Sequence, residues 1–418
     1  MTRLAFLLRD LVGGGVERNT LRLARSFLAR GAAVDLLLER IDGPLVDSVP
    51  NGVRLVELEV GPIWRAKLLA ARADPGGIGY LLPAVLLPRR PIGAYPMLPA
   101  LVDYLRETRP DGLISAFPYQ NLLAIAGCRA AGVGTRVVVT ERSTTTALAS
   151  RRRKWKRWSL PALARRSYLR ADAVVAVSSG LGDLLASQLG LPRDRIATVY
   201  NPIVSEELVA AAAEPVDHPW LREGEPPVVL GCGRLTEQKD FPTLVRAFAR
   251  LRATRPARLI ILGTGTDPAA TRKECSELRE LAAALQVGHD LDLPGFVANP
   301  CAYMSKAGLF ALSSRWEGFS TVLTEAIACG CPVVSTDCPS GSAEILENGR
   351  YGPLVPVGDD AALAAAMARV LDAPPDPATL RRRAQSFTVE CATDAYSGLL
   401  GLRLSEHENA LGVPARTC

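Results

Sequence analysis

The sequence predicts an α/β protein of two doubly wound domains, each on a parallel sheet and facing one another across a cleft. Three observations carry this. A rhythm of strand, glycine turn, helix and strand opens the chain and recurs along it. A Pro- and charge-rich stretch, "EPVDHPWLREGEPP" at residues 214–227, interrupts it and reads as a linker. The rhythm then restarts with another apolar strand and glycine turn, so both halves are Rossmann-like. The length, 418 residues with 48% hydrophobic content, is enough for two cores.

Taken in order, "LAFLL" is too short for a helix and reads as a buried strand. Gly13, Gly14 and Gly15 make the turn after it. In "VERNTLRLARSFLARG", Val16, Thr20, Leu23 and Phe27 recur at helical spacing and Gly31 marks the stop. "AAVDLLLE" resumes the strand pattern, and "LPALVDYLRETRPDGLISAF", "TRVVVT" and "ADAVVAVSSGLGDLLASQLG" repeat it. After the linker, "PVVLGCGRL" is strand and loop. "DFPTLVRAFARL" is a helix with Phe241, Leu244, Val245, Phe248 and Leu251 on one face. "ARLIILGTG" follows, then "AGLFALSS" leading to "TVLTEAIACG", and "PVVSTD" leading to "GSAEIL". The predicted domains are residues 1–213 and 228–385, joined by the linker 214–227. Residues 386–418 form a segment, helical in part, that returns towards the first domain and ends in a mobile tail.

Composition excludes several classes. Charged residues make up 22% of the chain, too few for disorder at this hydrophobicity. The start "MTRLAFLLRD" lacks a secretory-signal pattern, and no run reaches the ~20 apolar residues of a spanning helix. Nine cysteines without a CxxC fit reduced thiols, so a cytoplasmic location is expected. The three histidines, His218, His289 and His407, have no ligand-like spacing, which argues against a histidine-built zinc site and a Ser-His-Asp mechanism.

Charge is uneven along the chain. Residues 1–200 hold 29 Lys and Arg against 16 Asp and Glu, and the remainder carries a net negative balance. A basic front half suits an anionic partner (phosphorylated substrate, lipid headgroups or nucleic acid) or is a solvated arginine-rich surface. Residues 61–99 mix apolar residues with Pro and Gly, which break both helix and strand. They read as a packed connection or as an insert that contacts an acceptor or dips into a membrane. The run "RRRKWKRW", residues 151–158, puts six cations around two tryptophans. It suits an interfacial anchor or a solvated helix face, and for nucleic acid no recognised motif accompanies it.

The second half carries the chemistry. "GRLTEQKD" places Arg234 and Lys239 just beyond a strand end, where two cations suit a diphosphate. "EGFSTV" leads from a strand into a helix, leaving the N–H groups near Ser320, Thr321 and Val322 to receive phosphate. Glu317 and Glu325 have seven residues between them, one in the loop and one on the helix. They do not share a helical face, so the spacing is not that of a glycosidase pair. A helix-borne carboxylate beside a nucleotide accepts hydrogen bonds from ribose hydroxyls, and the loop carboxylate lies nearer whatever is attached beyond the phosphates. The plainer alternative makes Glu325 a helix-dipole partner and Glu317 an ordinary loop residue.

"GRLTEQKDFPTLVRAF", "SSRWEGFSTVLTEAIACGCPVVSTDCPSGSAEIL" and "GGGVERNTLRLARSFLARG" together resemble the retaining glycosyltransferases of family 4, which have the GT-B architecture. The likeness runs through nearly the whole second half and returns at several places in the first. It implies that residues 1–213 form the acceptor domain and residues 228–385 the nucleotide-sugar donor domain. It implies that Arg234 and Lys239 hold the donor diphosphate, that Glu325 binds ribose, and that Glu317 lies by the donor sugar and the reacting centre. Gly318, Phe319, Ser320, Thr321 and Val322 would line the donor, Phe296 would lie near the base, and Gly13, Gly14 and Gly15 would approach the phosphates and the acceptor. Many members carry a first-domain histidine where this chain has "LISAFPYQNLLA"; Gln120, Asn121 and Arg142 are the acceptor-side candidates here.

"DLD", with Asp290 and Asp292, looks like the metal-holding motif of other glycosyltransferases, but it precedes "LPGF" and reads as a strand start. The implied enzyme is a metal-independent hexosyltransferase without a cofactor. It would move sugar from a nucleotide diphosphate, UDP favoured, to a hydroxyl of a glycan, lipid-linked or small-molecule acceptor. It would work in the cytoplasm, free or peripheral on an anionic membrane, with no nucleic-acid partner. Two other readings are a nucleotide-sugar 2-epimerase of the same fold, which would want a histidine in the cleft, and a non-catalytic basic binding subunit.

Overall fold

Strands that read as near-continuous apolar runs belong to parallel sheets covered on both faces, and both sheets of this chain are of that kind. The computed structural model describes residues 1–89, 91–142 and 156–404. They form two compact units, the first of Met1–Pro202 with the segment from Val389 and the second of Ile203–Thr388.

The first unit holds β1 (Arg3–Leu8), β2 (Ala33–Leu38), β3 (Val53–Glu57), β4 (Gly112–Ala116), β5 (Arg136–Glu141), β6 (Ala173–Ala176) and β7 (Ile196–Thr198). Their order is β3-β2-β1-β4-β5-β6-β7, with parallel pairing throughout. The order reverses at β1, where ligand-carrying loops of doubly wound sheets gather. Helix Gly15–Ala29 buries Leu21, Leu23 and Phe27 on the sheet, the Phe27 ring 6.1 Å from that of Phe6. Helix Val389–Leu400 completes this core: Ala392, Tyr396 and Leu400 pack in the cluster that contains Leu4 and Ile114. The Thr393 hydroxyl donates to Ser26 Oγ (2.9 Å), and Arg30 pairs with Asp394.

The second unit holds β8 (Val228–Cys232), β9 (Arg258–Leu262), β10 (Leu291–Gly295), β11 (Leu309–Leu312), β12 (Val333–Thr336) and β13 (Leu354–Val355), in the order β10-β9-β8-β11-β12-β13. Helix Phe241–Arg252 buries the five apolar residues its spacing predicts.

Two expectations are corrected. The first unit ends at Pro202 rather than at residue 213, and residues 214–227 belong to the second unit. Specific contacts hold them there. Asn299 Nδ2 donates to Ala211 O (2.8 Å) and to the Glu214 carboxylate (2.7 Å). His218 Nδ1 accepts from the Trp220 N–H (3.2 Å), so Nε2 carries the proton towards Asp292, 3.0 Å away. Residues 61–99 are largely helical, with helix Ile63–Ala73, helix Ile78–Leu81 and a wide π turn over Leu82–Leu86. The breakers Pro62, Pro75, Gly76 and Gly77 stand at the ends of helix Ile63–Ala73 and leave its interior free to coil.

Among the described residues no helix is long and apolar enough to cross a membrane. The basic run 151–158 lies outside the described residues, apart from the backbone of its last three, which open helix Lys156–Tyr168.

Candidate active site

The site in the second unit is built on the C-terminal ends of β8 and β11. After β8 the chain turns at Gly233, whose N–H donates to Leu262 O (2.9 Å). A Cβ at Gly233 would meet Lys239 Cε at 2.8 Å, so glycine is what lets the lysine stem lie back across the strand end. Buried Leu235 pins the loop, and the Lys239 N–H closes a turn onto Thr236 O (3.0 Å). Asp240 then takes a left-handed conformation (φ 47°), which an aspartate tolerates. Its carboxylate accepts from Thr243 Oγ1 (2.9 Å) and Arg315 Nε (3.1 Å).

The loop after β11 is tied to this one bond by bond. Ser313 Oγ donates to Lys239 O (2.8 Å), the Arg315 N–H to Gln238 O (2.8 Å), and Gln238 Nε2 to Trp316 O (2.9 Å). From the other side Thr336 Oγ1 donates to Ser314 O (2.6 Å) and Ser340 Oγ to Glu317 O (2.7 Å). The result is a fixed carboxylate. Glu317 Oε1 receives Lys239 Nζ at 2.7 Å and Ser314 Oγ at 2.8 Å, while Gln238 Nε2 stands 3.4 Å from Oε2. Both charged side chains are nearly withdrawn from water, Lys239 at 14% exposure and Glu317 at 8%. Oε2 keeps accepting capacity, and an ammonium has three donors.

Beyond Glu317, Phe319 is buried with its ring 5.4 Å from that of Phe387. Helix Thr321–Cys329 starts at Ser320 without a side-chain cap, and among the described residues the buried Ser320 Oγ has no hydrogen-bond partner. Thr321 and Val322 open its first turn, whose N–H groups face outward from the helix end. Glu325 lies one turn further on, half-buried. Arg234 is exposed and, among the described residues, forms no hydrogen bond or ion pair through its guanidinium. Phe296 follows β10 and is also exposed. Asp290 accepts from Arg252 Nε (2.7 Å) and from Arg258, and Asp292 faces His218. Among the described residues there is no group of three or more His, Cys, Asp or Glu side chains that could hold a metal ion.

In the first unit the glycine turn is exposed at the end of β1. Gly13 is in a left-handed conformation and Gly14 caps helix Gly15–Ala29 without a side chain. The acceptor-side candidates are less free than the sequence implies. Gln120 Nε2 donates to Glu39 (2.6 Å). Asn121 is fully buried, with Nδ2 donating to Thr140 O (3.0 Å) and lying 3.1 Å from the Tyr168 hydroxyl. Tyr168 donates to Glu141, whose carboxyl burial pushes up to about 7. These contacts enclose Asn121 in the core. Arg142, at the end of β5, donates to Asn201 Oδ1 (3.2 Å) and bonds Tyr396; burial lowers its pKa, while the Glu17 charge favours its protonated form.

The residues missed by sequence reasoning are Gln238, Ser314 and Asp240. Gln238 adjoins Lys239 in "EQKD", but nothing in its spacing reveals that it reaches the loop after β11.

Two Rossmann-like units on parallel sheets, with a paired lysine and glutamate at two adjacent strand ends of the second, define the class of GT-B glycosyltransferases. Residues 215–387 match the family model described as Glycosyl transferases group 1, and residues 13–207 match Glycosyltransferase Family 4. A Campylobacter jejuni N-acetylgalactosamine-N,N'-diacetylbacillosaminyl-diphospho-undecaprenol 4-alpha-N-acetylgalactosaminyltransferase is 30% identical over 74% of this chain and 83% of its own length. The Rhizobium meliloti lipopolysaccharide core biosynthesis glycosyltransferase LpsE is 30% identical over 56% of this chain and 66% of its own. The chain belongs to glycosyltransferase family 4.

Solved structures agree on the fold. The apo lipopolysaccharide outer core galactosyltransferase WaaB superposes with a TM-score of 0.68 at 18% identity, over 96% of this chain and 99% of that one. Anabaena Alr3699/HepE, solved with UDP and glucose, gives 0.66 at 19% identity, over 96% of this chain and all of that one.

Two predictions follow from the packing of these charges. Lys239→Ala strands the Glu317 carboxylate and is expected to cost ~3 kcal/mol of stability, whereas Arg234→Ala leaves the melting temperature within a degree or so of wild type. Thermal unfolding of the two variants checks this, and equal melting temperatures would contradict the pair. Glu141 gives a pH signature. The folded chain keeps this proton up to about pH 7, while an unfolded carboxyl loses it near its ordinary 4.5, so stability falls as pH rises through that window. Glu141→Gln is expected to flatten the slope by on the order of 3 kcal/mol, read from denaturant unfolding at pH 5 and pH 7.5.

Proposed function

We propose that the chain is a retaining, metal-independent hexosyltransferase that takes sugar from a nucleotide diphosphate, UDP favoured, and passes it to a hydroxyl of a lipid-linked acceptor at an anionic membrane surface. The observation that carries the reading is the Lys239–Glu317 pair, fixed at the ends of β8 and β11 beside an uncapped helix N-terminus and the exposed Arg234. As the glycosidic bond opens, the departing diphosphate gains negative charge. Arg234, the two remaining donors of Lys239 and the N–H groups of Ser320, Thr321 and Val322 suit that charge. Gly318 and Phe319 lie in the loop between, and Phe296 is proposed to meet the base.

In the proposed step the bond from the anomeric carbon to the phosphate oxygen breaks. The acceptor oxygen bonds to that carbon on the same face, and its proton passes to the departing phosphate oxygen. Glu317, whose Oε2 keeps accepting capacity beside Gln238, is proposed to contact the sugar, and Glu325, on the helix, the ribose. Protein cations take the place of a divalent ion; in support, Asp290 is occupied by two guanidiniums and Asp292 by His218. UDP as donor has the support of the Anabaena structure, solved with UDP and glucose. The lipid-linked acceptor has the support of the Campylobacter relative, whose name specifies a diphospho-undecaprenol-linked one.

The test is nucleotide release from a panel of nucleotide-diphosphate sugars with a polyprenyl-diphosphate-linked sugar as acceptor, before and after exhaustive EDTA. Release from a UDP-sugar that survives EDTA is expected, falling roughly 10²–10³-fold in Arg234→Ala. Glu325→Ala is expected to raise the donor KM and Glu317→Ala to lower kcat, because a ribose contact is alike in ground and transition states. Loss of activity with EDTA and its return with Mn²⁺ would overturn metal independence, and identical effects on KM alone would overturn the division between the glutamates.

A further inference from the structure

Among the described residues fifteen large apolar side chains are exposed, and seven of them fall between Val60 and Leu87. The concentration has a local cause. Helix Ile63–Ala73 turns Ala66, Leu69, Ala70 and Ala73 inward and leaves Trp64 and Leu68, one turn apart, in solvent at 67% and 50% exposure. The next helical segment repeats the inversion. It buries Leu81, Ala84 and Val85 and exposes Ile78, Tyr80, Leu82 and Leu87, the last at 73%. Helix Ile63–Ala73, helix Ile78–Leu81 and the π turn pack against one another, so these side chains belong to one region of the first unit. A surface that puts its largest apolar groups outward is built to meet something apolar.

Charge says what. From residue 60 to residue 102 the chain has one acid, Asp74, against Arg65, Lys67, Arg72, Arg89 and Arg90. Asp74 is already neutralised, with Arg166 on both carboxylate oxygens (2.6 and 2.8 Å) and Arg170 at 3.0 Å. Arg166 also lies over the Tyr80 ring, 5.5 Å from its centroid, adding helix Lys156–Tyr168 to the same region. Arg65 is paired with Asp103 (2.6 and 2.8 Å). With Glu57, Glu59 and Asp103 at its borders the region still carries more cations than carboxylates, so a second copy of this chain would set like charges against each other. We infer that the region around Trp64, Leu68, Leu82 and Leu87 lies in the headgroup layer of an anionic bilayer, with Lys67, Arg72 and Arg89 against the lipid phosphates. The inference builds on the lipid-linked acceptor proposed above, and lipid binding tests it apart from transfer.

The experiment is co-sedimentation of the full chain with vesicles of phosphatidylcholine alone or mixed equally with phosphatidylglycerol, without donor or acceptor. Wild type is expected to bind the anionic vesicles roughly tenfold or more tighter than the neutral ones, and less tightly as salt rises. A Trp64→Ser, Leu68→Ser, Leu87→Ser variant is expected to lose roughly tenfold or more of that affinity, and Lys67→Gln, Arg72→Gln, Arg89→Gln to lose the anionic preference. Both variants are expected to keep the wild-type melting temperature, since all six side chains stand at the surface. No binding by wild type, or equal binding by the serine variant, overturns the inference and makes the region a site for a protein partner. Vesicle binding by a chain that releases no nucleotide from any sugar donor would instead leave this inference standing and remove the proposed transfer activity.

Discussion

The second unit depends on one constraint: a carboxylate, that of Glu317, is held almost entirely out of water. Removing an ion from water costs several kcal/mol unless an opposite charge and hydrogen bonds replace the solvent. Here Lys239 supplies the charge and Ser314 the hydrogen bond. For Lys239 to reach, its stem must cross the end of β8, which requires the missing Cβ of Gly233. For the chain to re-enter a helix immediately afterwards, Asp240 must take a left-handed conformation. For Glu317 to stay in place, the loop after β11 must be bonded to both neighbours, through Gln238 on one side and Ser340 on the other. Each feature is local, and all of them serve one ion pair.

A buried polar system in the first unit does different work. Asn121, Tyr168 and Glu141 bond one another beneath the end of β5, and Asn121 Nδ2 also serves a strand carbonyl. Such a network fixes the helix that carries Asn121 against the sheet. Arg142, the next residue along, stands where that core meets the strand-end loops, bonded to Asn201 and Tyr396. The helix Val389–Leu400 that contributes Tyr396 comes from the far end of the sequence, so the loop ends of this sheet depend on a segment separated from them by the whole second unit.

The repeating parallel-sheet architecture was legible because buried strands leave an apolar run between glycine turns, and a helix such as Phe241–Arg252 shows its face in its spacing. The identities of Arg234, Lys239, Glu317 and Glu325 were legible as motif residues. That Lys239 and Glu317 bond each other was not. Their partnership crosses from one strand end to the next, and a linear spacing of residues carries no information about which side chains meet. The same limit hid Gln238 and Ser314, and it made Asn121 look available when it is enclosed. Residues 61–99 misled for another reason. Their Pro and Gly are breakers by composition, yet they stand mostly at element ends, where they delimit helices rather than prevent them.

Whether Lys239 and Glu317 act as one unit is measured directly by a double-mutant cycle on that pair. Unfolding free energies of Lys239→Met, Glu317→Gln and the double variant give the coupling. A coupling of ~2 kcal/mol or more is expected, with the double variant more stable than the sum of the two losses allows. Losses that add to within ~0.5 kcal/mol would mean the two side chains are independent, and the pair would not be the element that holds the site together.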